Sequence, residues 1–245
     1  QSLSSAASDV YKRQCVNECI RRAEAELARQ KEVKGFHQKA VAEILRPGGA
    51  HDAEKQCDEA LKKVDKATEP ELRALEHLKA VYGAWAEGDE HMRVSRSEWA
   101  VDGKHEVSAQ SAIEAYERCE AEARAASALT PTAGYYGVKV ELGAQGSRLL
   151  GECCGAARAE LERKRQLYLN VETTGRVLLR HQQAQEAQSY FNIADGIAVC
   201  AGERLMIRAA TDAADSEISR QQLVKKLFSR VLVALQHGAP RVALE

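Results

Sequence analysis

The stretch Glu71–Trp85, which reads ELRALEHLKAVYGAW, predicts a helix with one apolar side. Steps of three and four residues place side chains on one face of an α-helix, whereas a half-buried strand would alternate at every second residue. Thr68 and Glu71 have the spacing of a capping box, with Thr68 as the N-cap. The large apolar residues that follow this spacing are Leu72, Leu75, Leu78, Val81, Tyr82 and Trp85.

Helical spacing recurs along the rest of the chain. We expect helices at about 16–45, after the RPGGA sequence at 46–50, at 107–129, at 138–150, at 152–169 and at 177–197. Turns are expected at EGDE (87–90), LTPTAGYYG (129–137) and NVETTG (170–175), because Gly, Pro and short polar residues interrupt helices. In the last helix, the spacing of Phe228, Val231 and Leu235 predicts a buried stripe.

Together these patterns predict an all-α protein in which short connections join antiparallel helices. An irregular α-solenoid of antiparallel helical hairpins and a compact multi-helix bundle both fit this pattern. The tetratricopeptide pattern of Trp, Gly, Tyr and Pro is absent, so a regular repeat of that kind is not predicted.

The composition agrees with a helical fold and limits the classes of partner. The 245 residues include only 4 Pro and 3 Phe, and aromatic residues make up 5%. The 35 basic and 36 acidic side chains give a net charge of −1, so no global field favours nucleic acid or anionic lipid. No apolar run is long enough to span a bilayer. We therefore expect a soluble, cytoplasmic protein.

The seven cysteines do not form a pattern typical of a metal site. Cys15 and Cys19 are four residues apart, but a zinc site usually needs a second short-spaced pair. Cys153 and Cys154 are adjacent and would point in different directions on a helix. We expect reduced structural thiols, no metal and no cofactor. No nucleophile elbow, zinc-protease motif or dinucleotide fingerprint occurs, so we expect a protein that is not an enzyme.

The sequence begins with residues of unusual origin. SSAASDVYKRQ (4–14) resembles the translation of an adapter used in transposase-based sequencing libraries. We therefore interpret 1–14 as a non-native, disordered tail, which is set aside in fold reasoning. The rest is divided into a charged N-terminal helical segment (15–128) and a C-terminal helical-solenoid segment (129–245).

Three blocks in the second half resemble a known family. They are YERCEAEARAASALTP (116–131), GRVLLRHQQAQEAQSYFNIADGI (175–197) and FSRVLVALQHGAPRVAL (228–244). In this order and at similar distances, they are similar to the vacuolar protein sorting 35-like family, the large solenoid subunits of retriever and retromer. The positions that carry the resemblance are Glu122, Ala123, Arg124, Pro131, Gly175, Val177, Leu179, Ala187, Tyr190, Phe191, Phe228, Ser229, His237 and Val242.

The resemblance implies a non-catalytic scaffold subunit of an endosomal cargo-retrieval complex. Its implied partners are a small phosphoesterase-fold subunit and an arrestin-like subunit, without nucleic acid. Membrane association would then be indirect, and the protein would be cytoplasmic and peripheral on endosomes. The family-like positions are expected to be structural. The alternative is a generic α-helical protein-interaction adaptor without an endosomal role.

Overall fold

The computed structural model describes residues 2–64, 69–97, 107–129 and 142–236, and within these ranges it is helical without any strand. The predicted all-α class is confirmed. Its elements are α1 (Ser2–Ile44), α2 (Ala50–Lys63), α3 (Glu69–Ser97), α4 (Val107–Ala128), α5 (Gly143–Tyr168), a π-helical segment (Leu169–Gly175), α6 (Arg176–Arg180), α7 (Ala184–Ile197) and α8 (Ala201–Gln236).

The chain divides into two compact units. The first unit comprises Gln1–His91 and Ser111–Ala156, and the second comprises Met92–Gln110 and Ala157–Glu245. The boundaries between the units fall inside α3, α4 and α5. They do not coincide with the boundary at residue 128 that the sequence suggests.

In the first unit, α2 and α3 form an antiparallel pair. Lys79 Nζ lies 2.7 Å from Asp58 Oδ1. Glu54 lies one turn before Asp58 on α2, and Gly83 lies one turn after Lys79 on α3. The Glu54 carboxylate lies beside Gly83. Earlier residues of one helix thus meet later residues of the other, as the short connection between the helices requires.

Helices α3 and α4 are also antiparallel. Arg118 donates to Glu87 over 2.6 Å, and His77 is hydrogen-bonded to Glu122. The predicted break at residues 87–90 is wrong, because α3 continues through it. Gly88 lies inside this helix, where an added Cβ would be 2.5 Å from Cε1 of Tyr116. The glycine permits close packing of α4 and does not end the helix.

The apolar stripe of α3 is buried as predicted. Leu75, Leu78, Val81, Tyr82 and Trp85 are all at most 4% exposed. Only the first residue of the predicted stripe, at position 72, is half-buried. The proposed N-cap of this helix, at position 68, lies outside the described residues.

Helix α1 is longer than predicted and buries only part of its stripe. It runs from Ser2 without interruption, so residues 2–14 are helical and the expected disordered tail is not observed. Val16, Ile20 and Leu27 are at least 50% exposed, whereas Val33 is fully buried. The helix ends at Ile44, before the predicted Pro-Gly-Gly turn. Periodicity therefore identified the helix correctly but did not show which part has a packing partner.

From α5 to α7, the predicted breaks are displaced. Helix α5 is continuous where a break was expected near residue 151. The predicted turn at residues 170–175 is instead a π-helical segment that continues directly from α5 into α6. The predicted continuous helix at 177–197 is interrupted between α6 and α7, where Gln182 has φ 63°. No Gly or Pro occurs at this interruption, so the positions of helix-breaking residues could not locate it.

The core of the second unit lies where α7 packs against the π-helical segment and α8. Its buried members are Leu167, Val171, Ala187, Phe191, Ala194, Ala198, Ile207, Ala210 and Ala214. Helices α7 and α8 are antiparallel, because Gln188 donates to Asp215 while Gln221 donates to the Gln182 carbonyl.

The C-terminal end of α8 contradicts the predicted buried stripe. Phe228 is 62% exposed, Leu235 is 57% exposed, and Val231 is half-buried. The last buried residue of α8 is Ala214. Helical spacing identified an amphipathic helix here, but burial also requires a neighbouring surface.

Gly175 provides a test of this packing. Its replacement by Ala would place a Cβ against the Phe191 ring and 2.8 Å from the Asn170 carbonyl oxygen. We expect Gly175→Ala to lower the free energy of unfolding by about 1–3 kcal/mol because of this overlap. Gly196→Ala is the matched control in α7, because nothing lies within 4 Å of its added Cβ. Urea unfolding followed by circular dichroism should show that only the Gly175 variant is destabilised; equal effects would contradict this packing.

Candidate functional site

The family-like positions are distributed over several surfaces. In α4, Glu122 is hydrogen-bonded to His77, Ala123 is half-buried, and Arg124 is exposed and paired with Glu120. These contacts lie within α4 or between α4 and α3. They stabilise a helix pair and do not form a pocket.

Four other family-like positions lie in the core of the second unit or beside it. Gly175, Ala187 and Phe191 are buried, and Leu179 is half-buried. They lie where α7 meets the π-helical segment, as expected for structural positions. Two positions instead face outward, since Val177 is 39% exposed and Tyr190 is 36% exposed.

The remaining family-like positions do not join this group. Phe228 and Ser229 lie on the exposed end of α8, where Ser229 Oγ donates to the Lys225 carbonyl oxygen. Positions 131, 237 and 242 lie outside the described residues. The family-like positions therefore do not form one site in the described part of the chain.

A buried ionic network lies in the described part of the second unit. It joins Glu160, Arg163 and Lys164 of α5 to Glu203 of α8, with Ser95 of α3 at its edge. Lys164 and Glu203 have fully buried side chains, and their Nζ and Oε1 atoms are 2.7 Å apart. We call these five residues the Glu203 network.

Glu203 also caps the beginning of α8. Its Oε2 accepts hydrogen bonds from the backbone N–H groups of Val199, at 2.7 Å, and Cys200, at 3.2 Å. In return, the backbone N–H of Glu203 donates to Cys200 Sγ over 3.5 Å. This is a capping box in which Cys stands at the position that usually holds Ser or Thr. The sequence signal for this motif was a Glu three residues after the N-cap. It was not recognised because the N-cap residue is a cysteine.

Arg163 connects both carboxylates. Its Nε and Nη2 atoms donate to Glu160 over 2.9 and 2.7 Å. Its Nη1 and Nη2 atoms donate to Glu203 over 3.0 and 2.8 Å, and Nη1 also donates to the Ile197 carbonyl. All five N–H groups of the guanidinium are therefore used. Fork-shaped recognition of this kind orients both carboxylates as well as neutralising them.

The surroundings of Glu203 and Arg163 favour the ionised forms of both side chains. Burial would raise the pKa of Glu203, but hydrogen bonds from Arg163, Lys164 and the Val199 N–H outweigh it and lower the pKa to about 2. Hydrogen bonds to Glu160 raise the pKa of Arg163 above its ordinary value, against the opposing effect of burial. A carboxylate held in this way is a poor proton acceptor near neutral pH, so the arrangement suits a structural connection better than acid–base catalysis.

Two buried thiols are similarly unsuited to chemistry. Burial raises the pKa of Cys57 and of Cys119 to about 12, with smaller contributions from nearby acidic groups. Both remain protonated at neutral pH, and a thiolate is the form that binds metal or attacks an electrophile. Cys15 and Cys19, the spaced pair in α1, are exposed. Over the described ranges, no three His, Cys, Asp or Glu side chains are placed to hold a metal ion.

Comparisons with protein-family models, curated proteins and solved structures found no match. Within the described residues, no helix has an apolar run sufficient to cross a membrane.

Removing the charge of Glu203 tests the network. Glu203→Gln is nearly isosteric but leaves Arg163 and Lys164 without the carboxylate that they contact. Breaking a buried ion pair from one side commonly costs about 3–5 kcal/mol, and we expect a loss of that order in the free energy of unfolding. Glu217→Gln is the control on the same helix, because half-buried Glu217 pairs with an exposed arginine, Arg220, that solvent can screen, and the change should have a smaller effect. Similar losses in both variants, measured by urea unfolding, would refute a special role for Glu203.

The lowered pKa of Glu203 predicts a pH dependence. Its carboxyl has an ordinary value of 4.5 and a folded value of about 2. The contribution of its ionised form to the free energy of unfolding is therefore complete above about pH 4.5 and is lost as the pH falls toward 2. This contribution is on the order of 3 kcal/mol. Unfolding at several pH values should show the gap between wild type and Glu203→Gln shrinking across that window; a gap independent of pH would contradict the assignment.

Proposed function

We propose that this chain is a non-catalytic scaffold segment that presents helical surfaces to partner proteins. The observation that carries the proposal is the series of antiparallel helix pairs, α2 with α3, α3 with α4, and α7 with α8. Pairs of this kind bury their shared faces and leave long outer faces for binding. The polar groups of the Glu203 network are engaged by one another and by backbone atoms, which is consistent with a structural role.

The resemblance to the retriever and retromer large subunits supports a more specific version. In this version, the chain belongs to an endosomal cargo-retrieval complex that acts in protein transport. It contacts a small phosphoesterase-fold subunit and an arrestin-like subunit, and it is located in the cytoplasm at the endosomal surface. The basis for this version is the three similar blocks, in the same order, between residues 116 and 245.

An exposed apolar pair on α7 is a suitable contact surface for the phosphoesterase-fold subunit. Tyr190 and Ile193 are three residues apart and therefore share one side of the helix. They are 36% and 54% exposed, while Phe191 between them is buried. Tyrosine is frequent among the residues that dominate binding energy at protein interfaces. This pair lies within the second block of the resemblance.

The alternative function is a generic helical adaptor without an endosomal role. It rests on the same antiparallel helix pairs and uses none of the resemblance. The two functions differ in their partner, because only the retrieval scaffold requires affinity for a phosphoesterase-fold subunit.

Binding to a purified phosphoesterase-fold subunit of retriever tests the specific proposal. Calorimetry should detect a complex, and Tyr190→Ser combined with Ile193→Ser should weaken it at least about tenfold through loss of buried apolar area. Val16→Ser combined with Ile20→Ser is the control, because these two exposed residues of α1 lie outside the resembling region. Absence of a complex with the folded chain would overturn the retrieval role and favour the generic adaptor. Equal weakening by both variant pairs would remove the α7 surface from the proposal.

A further inference from the structure

The C-terminal end of α8 has an apolar surface with no neighbour in the described part of the chain. Between Arg220 and Gln236, seven large apolar side chains are at least 46% exposed. They are Leu223, Val224, Leu227, Phe228, Leu232, Val233 and Leu235. We call residues 220–236 the α8 extension.

The apolar stripe of the α8 extension does not simply continue the buried seam of α8. The buried residues of the first part are Glu203, Ile207, Ala210 and Ala214. At about 100° per residue, the apolar stripe of the extension is centred roughly a quarter-turn from that seam. Six of the seven large apolar residues fall within about half of the helix circumference, which is typical of an amphipathic helix at a surface, and Val233 lies on the opposite side. A helix that merely lengthened the α7 contact would keep the original direction.

The polar side of the α8 extension carries charge of one sign. Lys225, Lys226 and Arg230 are the basic residues of this side, Arg220 lies within the apolar side at about 100° per residue, and no acidic residue occurs between Arg220 and Gln236. Arg220 pairs with Glu217, one turn before the extension. No carboxylate among the described residues forms an ion pair with the other three. The surface therefore combines apolar side chains with cations that are not neutralised locally.

The positions of the cations favour a flat, anionic partner. At about 100° per residue, Lys225 and Arg230 lie near opposite margins of the apolar stripe, and Lys226 lies on the polar side between them. Lysine and arginine side chains at such margins can place their alkyl stems along apolar surface and their charged ends among headgroups. A second copy of the extension would instead bring two cationic surfaces together, with no acidic side chain to compensate.

We propose that the α8 extension lies in the surface of an anionic lipid bilayer. Its 17 residues span about 25 Å at 1.5 Å per residue. Amphipathic helices of this kind lie parallel to the membrane, with the apolar side entering the boundary between headgroups and acyl chains. Apolar burial and attraction of the basic residues to anionic lipid would act together. The contact is peripheral and does not require a helix that crosses the membrane.

This contact is independent of the proposed scaffold function. The resemblance implies indirect membrane association through other proteins, whereas the α8 extension provides a direct one. The lipid contact depends on the end of α8, and the proposed protein contact depends on the outer side of α7. Failure of either one leaves the other intact.

Vesicle co-sedimentation of the purified chain tests the proposal. We expect binding to phosphatidylcholine vesicles that contain phosphatidylserine, weaker binding at high salt, and little binding to phosphatidylcholine alone, because the attraction depends on unscreened anionic charge. Circular dichroism of every variant confirms that the helices remain folded.

A double charge substitution tests the contribution of the cations to vesicle binding. Lys225→Gln with Lys226→Gln should lower affinity about 30-fold, from about fivefold per charge. The matched control removes two exposed charges from the first part of the same helix, by Arg204→Gln with Arg208→Gln, and should change affinity by no more than about twofold.

Leu227→Ser should weaken vesicle binding at least about tenfold, because a buried leucine is lost from the interface. Leu205→Ser is its control, since Leu205 is 70% exposed on α8 but lies outside the extension.

Three results would overturn the proposal: no binding to anionic vesicles, equal effects of the extension variants and their controls, or binding that is independent of anionic lipid. Light scattering tests whether a second copy of the chain, rather than lipid, covers the α8 extension. Dimerisation that Leu227→Ser abolishes, without lipid binding, would assign the surface to a second copy of the chain.

Discussion

The buried carboxylate of Glu203 is the constraint on which the second unit depends. A charged side chain without solvent is tolerated only when its partners are all in place, because desolvation opposes ionisation. Glu203 meets this requirement by accepting hydrogen bonds from Arg163, Lys164 and the backbone at the start of α8. The register of α8 against α5 is therefore linked to the cap that starts α8. A shift by one residue would remove the contacts of Glu203 with Arg163 and Lys164 and leave its carboxylate with the backbone cap alone.

Helical periodicity predicted the fold class and the buried side of α3, where Leu75 and Tyr82 are in the core. It wrongly predicted a buried stripe at the end of α8, where Phe228 has helical spacing but is 62% exposed in the described part of the chain. The interruption near Gln182 was missed because a left-handed residue there is not marked by Gly or Pro. The Glu203 network was missed because its members are about 40 residues apart and act only when α5 and α8 meet.

Helix α8 combines two kinds of surface. Its first part is held by the Glu203 network and by the core that includes Ile207 and Ala214. Its extension exposes an apolar stripe, and no carboxylate of the described residues pairs with its Lys225, Lys226 or Arg230. Under the two proposals, the rigid first part orients the helix while the extension contacts lipid, and α7 offers Tyr190 and Ile193 to a protein partner. A scaffold of this kind would join membrane and protein through neighbouring helices without any catalytic group.

Helix α8 is held at its start by the Glu203 network, whereas its end is exposed in the described part of the chain. Amide hydrogen exchange of the lipid-free chain, resolved by NMR, tests this most directly. We expect slow exchange at Val199 and Cys200, whose N–H groups donate to the buried Glu203 carboxylate, and faster exchange beyond Leu223. Fast exchange at Val199 and Cys200 would contradict the role of Glu203. Strong, uniform protection as far as Gln236 would contradict an uncovered end.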